Sequence, residues 1–448
     1  MDIQISLRQS VRVENNMKFL LGITLILGTL MASSLPKYET KTLENGLQIV
    51  VIPLGNNTNV ISTDIFYKVG SRNEVMGKTG IAHMLEHMNF KSTKNLQAGE
   101  FDKEVKSVGG VNNASTSFDY THYFIKSSSQ NLGKSLNLFA ELMQNLNLKD
   151  KEFQPERDVV TEERKWRTDN SPLGYLYFKM FNNAYTYHPY HWTPIGFMND
   201  IRTWTIKDIK DFHKTYYQPA NAILMVTGDV NPKEVFKKAE KEFGGIINKA
   251  KIPEVKFVEP EQDGAKRVMI HKDSEVEMLA ITFHIPNFKN ADQPTLSMIS
   301  EILYSGKSSR LYKELIDKKQ LVNSVYAYNM EAIDPSLFIF LATCNQGVKA
   351  EDVEKELIAQ IELMKTTEVT DAELEKVKIN TKSDFIYSLE SSTSVSELFG
   401  SYFVRGDLTP LLNYEENINK ITAQKVKEVA NKYFNFDKST TLILKKGN

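Results

Sequence analysis

Cysteine is almost absent. Cys344 is the only one in 448 residues, so no disulfide can form within the chain and stability has to come from a packed core. Charge of one sign is also missing: 55 Lys and Arg stand against 56 Asp and Glu, a net charge of -1. That balance, with no basic patch or nucleic-acid motif, excludes nucleic acid as the partner. Long hydrophobic runs are absent too. The longest, Phe19 to Met31, covers 13 residues and falls short of the roughly 20 that a membrane span needs. Histidine is scarce, with eight in the chain, so where histidines cluster carries information.

The short apolar run follows Met17-Lys18 and precedes Ala32-Ser33-Ser34. A basic start, a short apolar core and a small-residue cleavage site make a secretory signal. Met17 is then the natural start and residues 1–16 an upstream extension. The expected address is the periplasm or the exterior, with no membrane association once the signal is cleaved. No cysteine follows the cleavage site, so no lipid anchor is indicated. Hydrophobic residues make up 41% and charged residues 25%, the balance of a globular protein whose length suggests two or three domains.

Two of the eight histidines lie in Gly80-Ile-Ala-His83-Met-Leu-Glu86-His87-Met88. On a helix, His83, Glu86 and His87 share one face. Two neutral imidazoles at that spacing can chelate one zinc ion, and a carboxylate that does not ligate can take a proton from zinc-bound water. The order His-x-x-Glu-His is the inverse of the commoner metalloprotease motif and marks the inverzincin peptidases. A third ligand is required, and the candidate is Glu163 in Phe153-Gln-Pro-Glu156-Arg157-Asp-Val-Val-Thr-Glu162-Glu163. Helical composition follows Pro155, and Glu156 and Glu163, two turns apart, share a face. Glu162 is about 100° away around the helix and faces elsewhere.

Here the chain resembles the insulinase, pitrilysin and mitochondrial processing peptidase family, in which a glutamate follows His-x-x-Glu-His after about 75 residues. Between His87 and Glu163 there are 75. The resemblance makes His83, His87 and Glu163 the ligands of one Zn2+ per chain, Glu86 the general base, and Glu156 a supporting carboxylate of the catalytic apparatus. It extends to Asn113-Ala114-Ser-Thr116, which in the family is an exposed edge strand beside the zinc. Such an edge can pair with an extended peptide, so Asn113, Ala114 and Thr116 are expected to bind substrate.

The chain also repeats itself. Asn45-Gly46 joins two strand-like stretches as a hairpin, the strand Val60 to Val69 follows, and a helix over Thr205 to Tyr217 leads to a strand over Ala222 to Gly228. Adding 217 to residue numbers takes Phe66 to Phe283 and Thr205–Tyr217 to Thr422–Phe434. Expected are a leader over 1–34, a catalytic domain over 35–245, a linker over 246–265 and a homologous domain over 266–448 without a metal site. The same shift puts Ser300, Leu303 and Tyr304 where His83, Glu86 and His87 stand, so the second copy cannot bind zinc this way. The fold class is α+β: two homologous α/β-roll domains, each an antiparallel sheet covered by helices. The resemblance implies that together they form half of a clamshell.

Self-sufficient members of the family carry an Arg and, seven residues on, a Tyr in the second copy. Those positions here hold Ile316 and Asn323, unless nearby Arg310, Tyr326 or Tyr328 serve instead. The function expected is a zinc-dependent endopeptidase for peptides or unfolded polypeptides. A related chain without zinc ligands would supply the Arg and Tyr as a heterodimer, and a homodimer is the other arrangement. The rival reading is a non-catalytic scaffold subunit of a processing-peptidase-like complex. The aromatic stretch Tyr175 to Trp192 reads as core and loop, and His188 and His191 within it have no fitting carboxylate partner.

Overall fold

The computed structural model describes residues 34–447. Apart from Ser34, the expected leader lies outside the described residues. No helix among them is long and apolar enough to cross a membrane.

Two mixed sheets organise the chain. The first contains β1 (Glu39–Thr42), β2 (Gln48–Pro53), β3 (Val60–Tyr67), β4 (Val111–Thr116), β5 (Thr121–Ser128) and β6 (Ala222–Gly228), in the order β1-β2-β6-β3-β5-β4. The second contains β7 (Lys266–Lys272), β8 (Met278–Ile285), β9 (Val322–Asn329), β10 (Ser336–Cys344) and β11 (Ser439–Lys446), in the order β7-β11-β8-β10-β9. Asn45-Gly46 turns the first hairpin as its sequence demands. Gly46 has φ +87° and its N–H donates to Leu43 O at 2.9 Å.

The sheets are not wholly antiparallel, which corrects the expectation. β2 pairs with β6, and β7 with β11, in parallel. Each closing strand arrives after a long helical excursion, which lets it run alongside the opening strand in the same direction. Between β3 and β5 the pairing is antiparallel throughout.

The 217-residue shift is visible in the closing helices, although the first sheet has six strands and the second five. The helix Ile206–Tyr216 maps onto Ala423–Tyr433, and each begins at a threonine, Thr205 or Thr422, whose side chain accepts the N–H three residues on. Five helices of the first half matter for the site: α1 (Ile81–Asn89), α2 (Glu100–Ser107), α3 (Leu132–Asn145), α4 (Asp150–Arg164) and α5 (Pro172–Ala184).

The two halves exchange helices. Met84, Leu85 and Met88 of α1 and Leu136, Phe139 and Met143 of α3 pack on one face of the first sheet, against Ile49, Val51, Ile65 and Leu224. Its opposite face, Val50, Ile52, Phe66, Ile223 and Met225, is covered by Val395, Phe399 and Tyr402 from the second-half helix Ser392–Arg405. Reciprocally, Leu176, Met180 and Phe181 of α5 cover Ala280, Ile339, Leu442 and Leu444 of the second sheet. Burial on both faces explains why β2 and β6 read as continuous apolar runs rather than alternating ones. Gly400 makes the contact close. A Cβ there would lie 2.1 Å from the Phe66 ring.

Candidate active site

The site begins with the start of α1. Gly80 has φ +83°, and a Cβ on it would meet Ile195 O at 2.6 Å, so glycine is required there. The buried carboxylate of Glu74 accepts the N–H groups of Gly80 and Ala82 and the indole N–H of Trp192, each at 2.8 Å. Burial pushes this carboxyl up to about 8 against the pull of those donors. Glu74 thus satisfies two of the free N–H groups at the helix start and anchors the turn that carries His83.

His83 and His87 stand one turn apart, with ring centroids 4.7 Å from each other. Packing of α4 on α1 brings Glu163 Oε2 to 3.7 Å from His83 Nε2 and 3.4 Å from His87 Nε2. Two donors bonded to one tetrahedral zinc at about 2.0–2.1 Å stand about 3.4 Å apart, so this donor set fits the ion. It is also the only cluster of that kind among the described residues.

Glu156 meets the far side of the same ring. The Nδ1–H of His87 donates to Glu156 Oε1 at 2.8 Å, and Lys91 Nζ lies 2.5 Å from Oε2. Burial opposes the charge on Glu156, yet His87 and Lys91 hold it below the usual carboxylate range. Burial also works against protonation of His87, but Glu156 and Glu163 outweigh it and push the imidazole up to about 9. His83 goes the other way. Burial, then the charge of His87, pulls it down to about 4.

Glu86 lies beside this set but is not part of it. Its Oε2 accepts the hydroxyl of Thr116 at 2.5 Å, and burial raises its carboxyl while that hydroxyl pulls it back. A raised carboxyl is suited to taking up a proton and releasing it again. Thr116 ends β4, the outermost strand of its sheet. The Ser117 N–H donates inward to Tyr120 O at 2.9 Å. Counting back with the period of two, the N–H groups of Ser115 and Asn113 face β5, and those of Thr116, Ala114 and Asn112 face outward. Asn113, Ala114 and Thr116 line one cleft of about 730 Å³ with His83, Glu86, His87, Glu156 and Glu163. All eight residues singled out in the sequence are therefore brought together. Glu162 is on the outer side of α4, paired with Lys165.

Sequence reasoning passed over Lys91, Glu74 and Arg167. Lys91 is four residues beyond His87 and Arg167 four beyond Glu163, so helical spacing could have found both. Glu74 pairs with Trp192 across 118 residues, and no local pattern announces that. His188 also needs correction, because it does have a carboxylate partner. Asp334, 146 residues away in the second half, lies 2.9 Å from its Nε2 and also binds Arg72.

In the second half Ser300 Oγ donates to Ala327 O, Leu303 is buried and Tyr304 is partly exposed, so no metal-binding set forms. Ile316 packs against the buried side chains of the second half, among them Leu303, Leu315 and Phe340, and Asn323 is exposed on β9. Arg310 grips Glu373 through two nitrogens at 2.8 and 2.6 Å.

Comparison with known proteins places this arrangement. Residues 50–187 match the family model described as Insulinase (Peptidase family M16), and residues 203–381 match Peptidase M16 inactive domain. The zinc protease PqqE of Helicobacter pylori is 54% identical over 96% of this chain and 99% of its own. The chain belongs to the insulinase (M16) peptidase family. Among solved structures, a protease from Helicobacter pylori superposes with a TM-score of 0.90 at 56% identity, covering 92% of this chain and 100% of that one. The periplasmic protease PqqL from Escherichia coli shares the fold, with a TM-score of 0.75 at 20% identity. That match covers 91% of this chain but 47% of the other. The second half of this M16 chain, matched by the inactive-domain model, is the half without the His-x-x-Glu-His motif.

Proposed function

We propose that this M16 chain is a zinc-dependent endopeptidase that hydrolyses peptides or unfolded polypeptides bound in extended form. The observation that carries the reading is the meeting of His83, His87 and Glu163 within 4.8 Å, with Glu86 held to one side and an open strand edge next to them. A purely scaffolding role leaves that meeting unexplained.

His83, His87 and Glu163 would hold one zinc ion. When bound, zinc supplies a Lewis acid that acidifies water and polarises a carbonyl. Glu86 takes a proton from the attacking water and delivers it to the leaving amine. The Thr116 hydroxyl holds one oxygen of Glu86 and leaves the other for this work. Glu156 keeps the proton of His87 on Nδ1, so that Nε2 is the free donor. The outward N–H and C=O groups of β4 pair with substrate backbone, which selects extended chains over folded ones.

The oxyanion that forms needs donors of its own. Ile316 and Asn323 cannot supply the Arg and Tyr pair, and Arg310 is already held by Glu373. The reading therefore includes a related partner chain that carries those donors. In this reading residues 35–245 are the catalytic domain and 266–448 its non-metal homologue, joined by 246–265. A signal beginning near Met17 directs the protein to the periplasm or outside.

The test is metal content together with peptide hydrolysis. One zinc per chain is expected, with hydrolysis lost on chelation and restored by zinc. Hydrolysis that continues in metal-free protein would contradict the reading.

A further inference from the structure

Beyond α4 the chain does not simply stop. Residues Lys165–Asp169 continue it as a π-helical turn, closed by the Asn170 N–H on Lys165 O at 2.7 Å. Such wide turns recur at functional sites. This one swings Arg167 back over Glu163, with Nη1 3.1 Å from Oε1. The two side chains differ sharply in exposure, 64% for Arg167 and 15% for Glu163. Arg167 lines the active-site cleft with its side chain largely exposed. Beside it Trp166 is 72% exposed, with the guanidinium carbon 5.8 Å from its ring centroid.

Two other cations line the cleft, Lys91 and Lys106. Lys91 is engaged by Glu156, and Lys106 lies on α2 ahead of β4. No carboxylate other than Glu163 stands within ion-pair distance of Arg167 among the described residues. A planar fork with free donors, next to the metal-binding carboxylate and backed by an aromatic face, matches one ligand chemistry above others: a second carboxylate, bound in bidentate fashion.

We propose that Arg167, backed by Trp166, is a specificity-determining residue that selects substrates presenting a carboxylate beside the scissile bond. That carboxylate is an acidic side chain or a free chain terminus. The inference rests on the peptidase reading and names its substrate class.

The test uses zinc-loaded protein, with its partner chain if activity requires one, and one peptide sequence carrying Glu, Gln or Lys next to the scissile bond. Each peptide is made with a free and an amidated C-terminus. Wild type should favour carboxylate-bearing peptides by about tenfold or more in kcat/KM, and the preference should shrink as salt is added. Loss of preference on Glu to Gln replacement assigns the carboxylate to a side chain, and loss on amidation assigns it to the terminus. Arg167→Gln should bring the ratio of carboxylate to neutral peptide close to one, and Arg167→Glu should turn the preference toward Lys. Because the readout is a ratio at matched zinc content, a general loss of rate does not imitate the effect. A preference that survives in both variants, or none in wild type, overturns the inference while the peptidase reading stands. Failure to cut any of the peptides overturns both.

Discussion

The Nδ1 nitrogen of His87 lies 2.8 Å from Oε1 of Glu156, two helical turns along α4 from the glutamate that faces the other ring nitrogen. One imidazole is thus gripped by carboxylates on both sides, which pushes it up to about 9 despite its burial. In the metal-free protein at pH 7, His87 is protonated and His83, pulled down to about 4, is neutral. Metal can bind only as His87 loses its proton from Nε2, so binding at neutral pH releases close to one proton.

Apparent zinc affinity should therefore rise about tenfold per pH unit as pH increases from about 5 toward 9, and level off above it. Glu156→Gln removes one of the charges that raise His87 and should shift the plateau to lower pH. Titration calorimetry in buffers of different ionisation enthalpy reads the proton count. A proton count near zero at pH 7 would show that His87 is already neutral.

Substrate pairing on β4 can be tested where its N–H groups face outward. Ala114→Pro removes one such donor and leaves the inward bonds of Ser115 and Asn113 to β5 in place. The Michaelis constant for an extended peptide should rise severalfold while zinc content stays at one per chain. An unchanged constant in a folded variant would remove β4 from the binding account.

The exchanged helix makes its own prediction. Alanine in place of glycine inside a helix normally stabilises by about 1 kcal/mol. At position 400 the added Cβ would fall 2.1 Å from the Phe66 ring, so Gly400→Ala should instead destabilise by about 1–3 kcal/mol, the cost of overpacking. A lowered thermal midpoint is expected. A raised one would mean that the second-half helix is not seated on the first sheet in this way.

These elements show what the sequence could and could not convey. Helical spacing was enough to set His83, Glu86 and His87 on one face, and Glu156 and Glu163 on another, because both patterns are local. Repeat and hairpin were legible for the same reason, through turn residues and apolar periodicity. Which helix covers which sheet was not, since Phe399 and Met225 meet only after the halves have folded together. The parallel pairing of β2 with β6 was hidden too, because direction depends on the path between them. Glu74 and Asp334 act on residues far along the chain. At the site, Thr116 was expected as part of the binding strand, while its hydrogen bond to Glu86 required the sheet edge to be placed against α1.

Ile316 and Asn323, standing where self-sufficient relatives are expected to carry Arg and Tyr, lead to a prediction about assembly. Alone, the zinc-loaded chain should hydrolyse peptides weakly. A related chain bearing Arg and Tyr but no His-x-x-Glu-His should raise the rate by about 100-fold or more. Full activity from the isolated chain, indifferent to such a partner, would refute the shared-site account.

The most direct measurement compares wild type with Glu86→Gln in hydrolysis of an extended peptide, at matched zinc content and in the same assembly. Glu86 is outside the set His83, His87 and Glu163, so the variant should keep one zinc per chain. Its hydrolysis rate should fall by about 10²- to 10⁴-fold, the usual contribution of a positioned acid–base group. Near-normal turnover in the zinc-loaded variant would contradict the account at its centre.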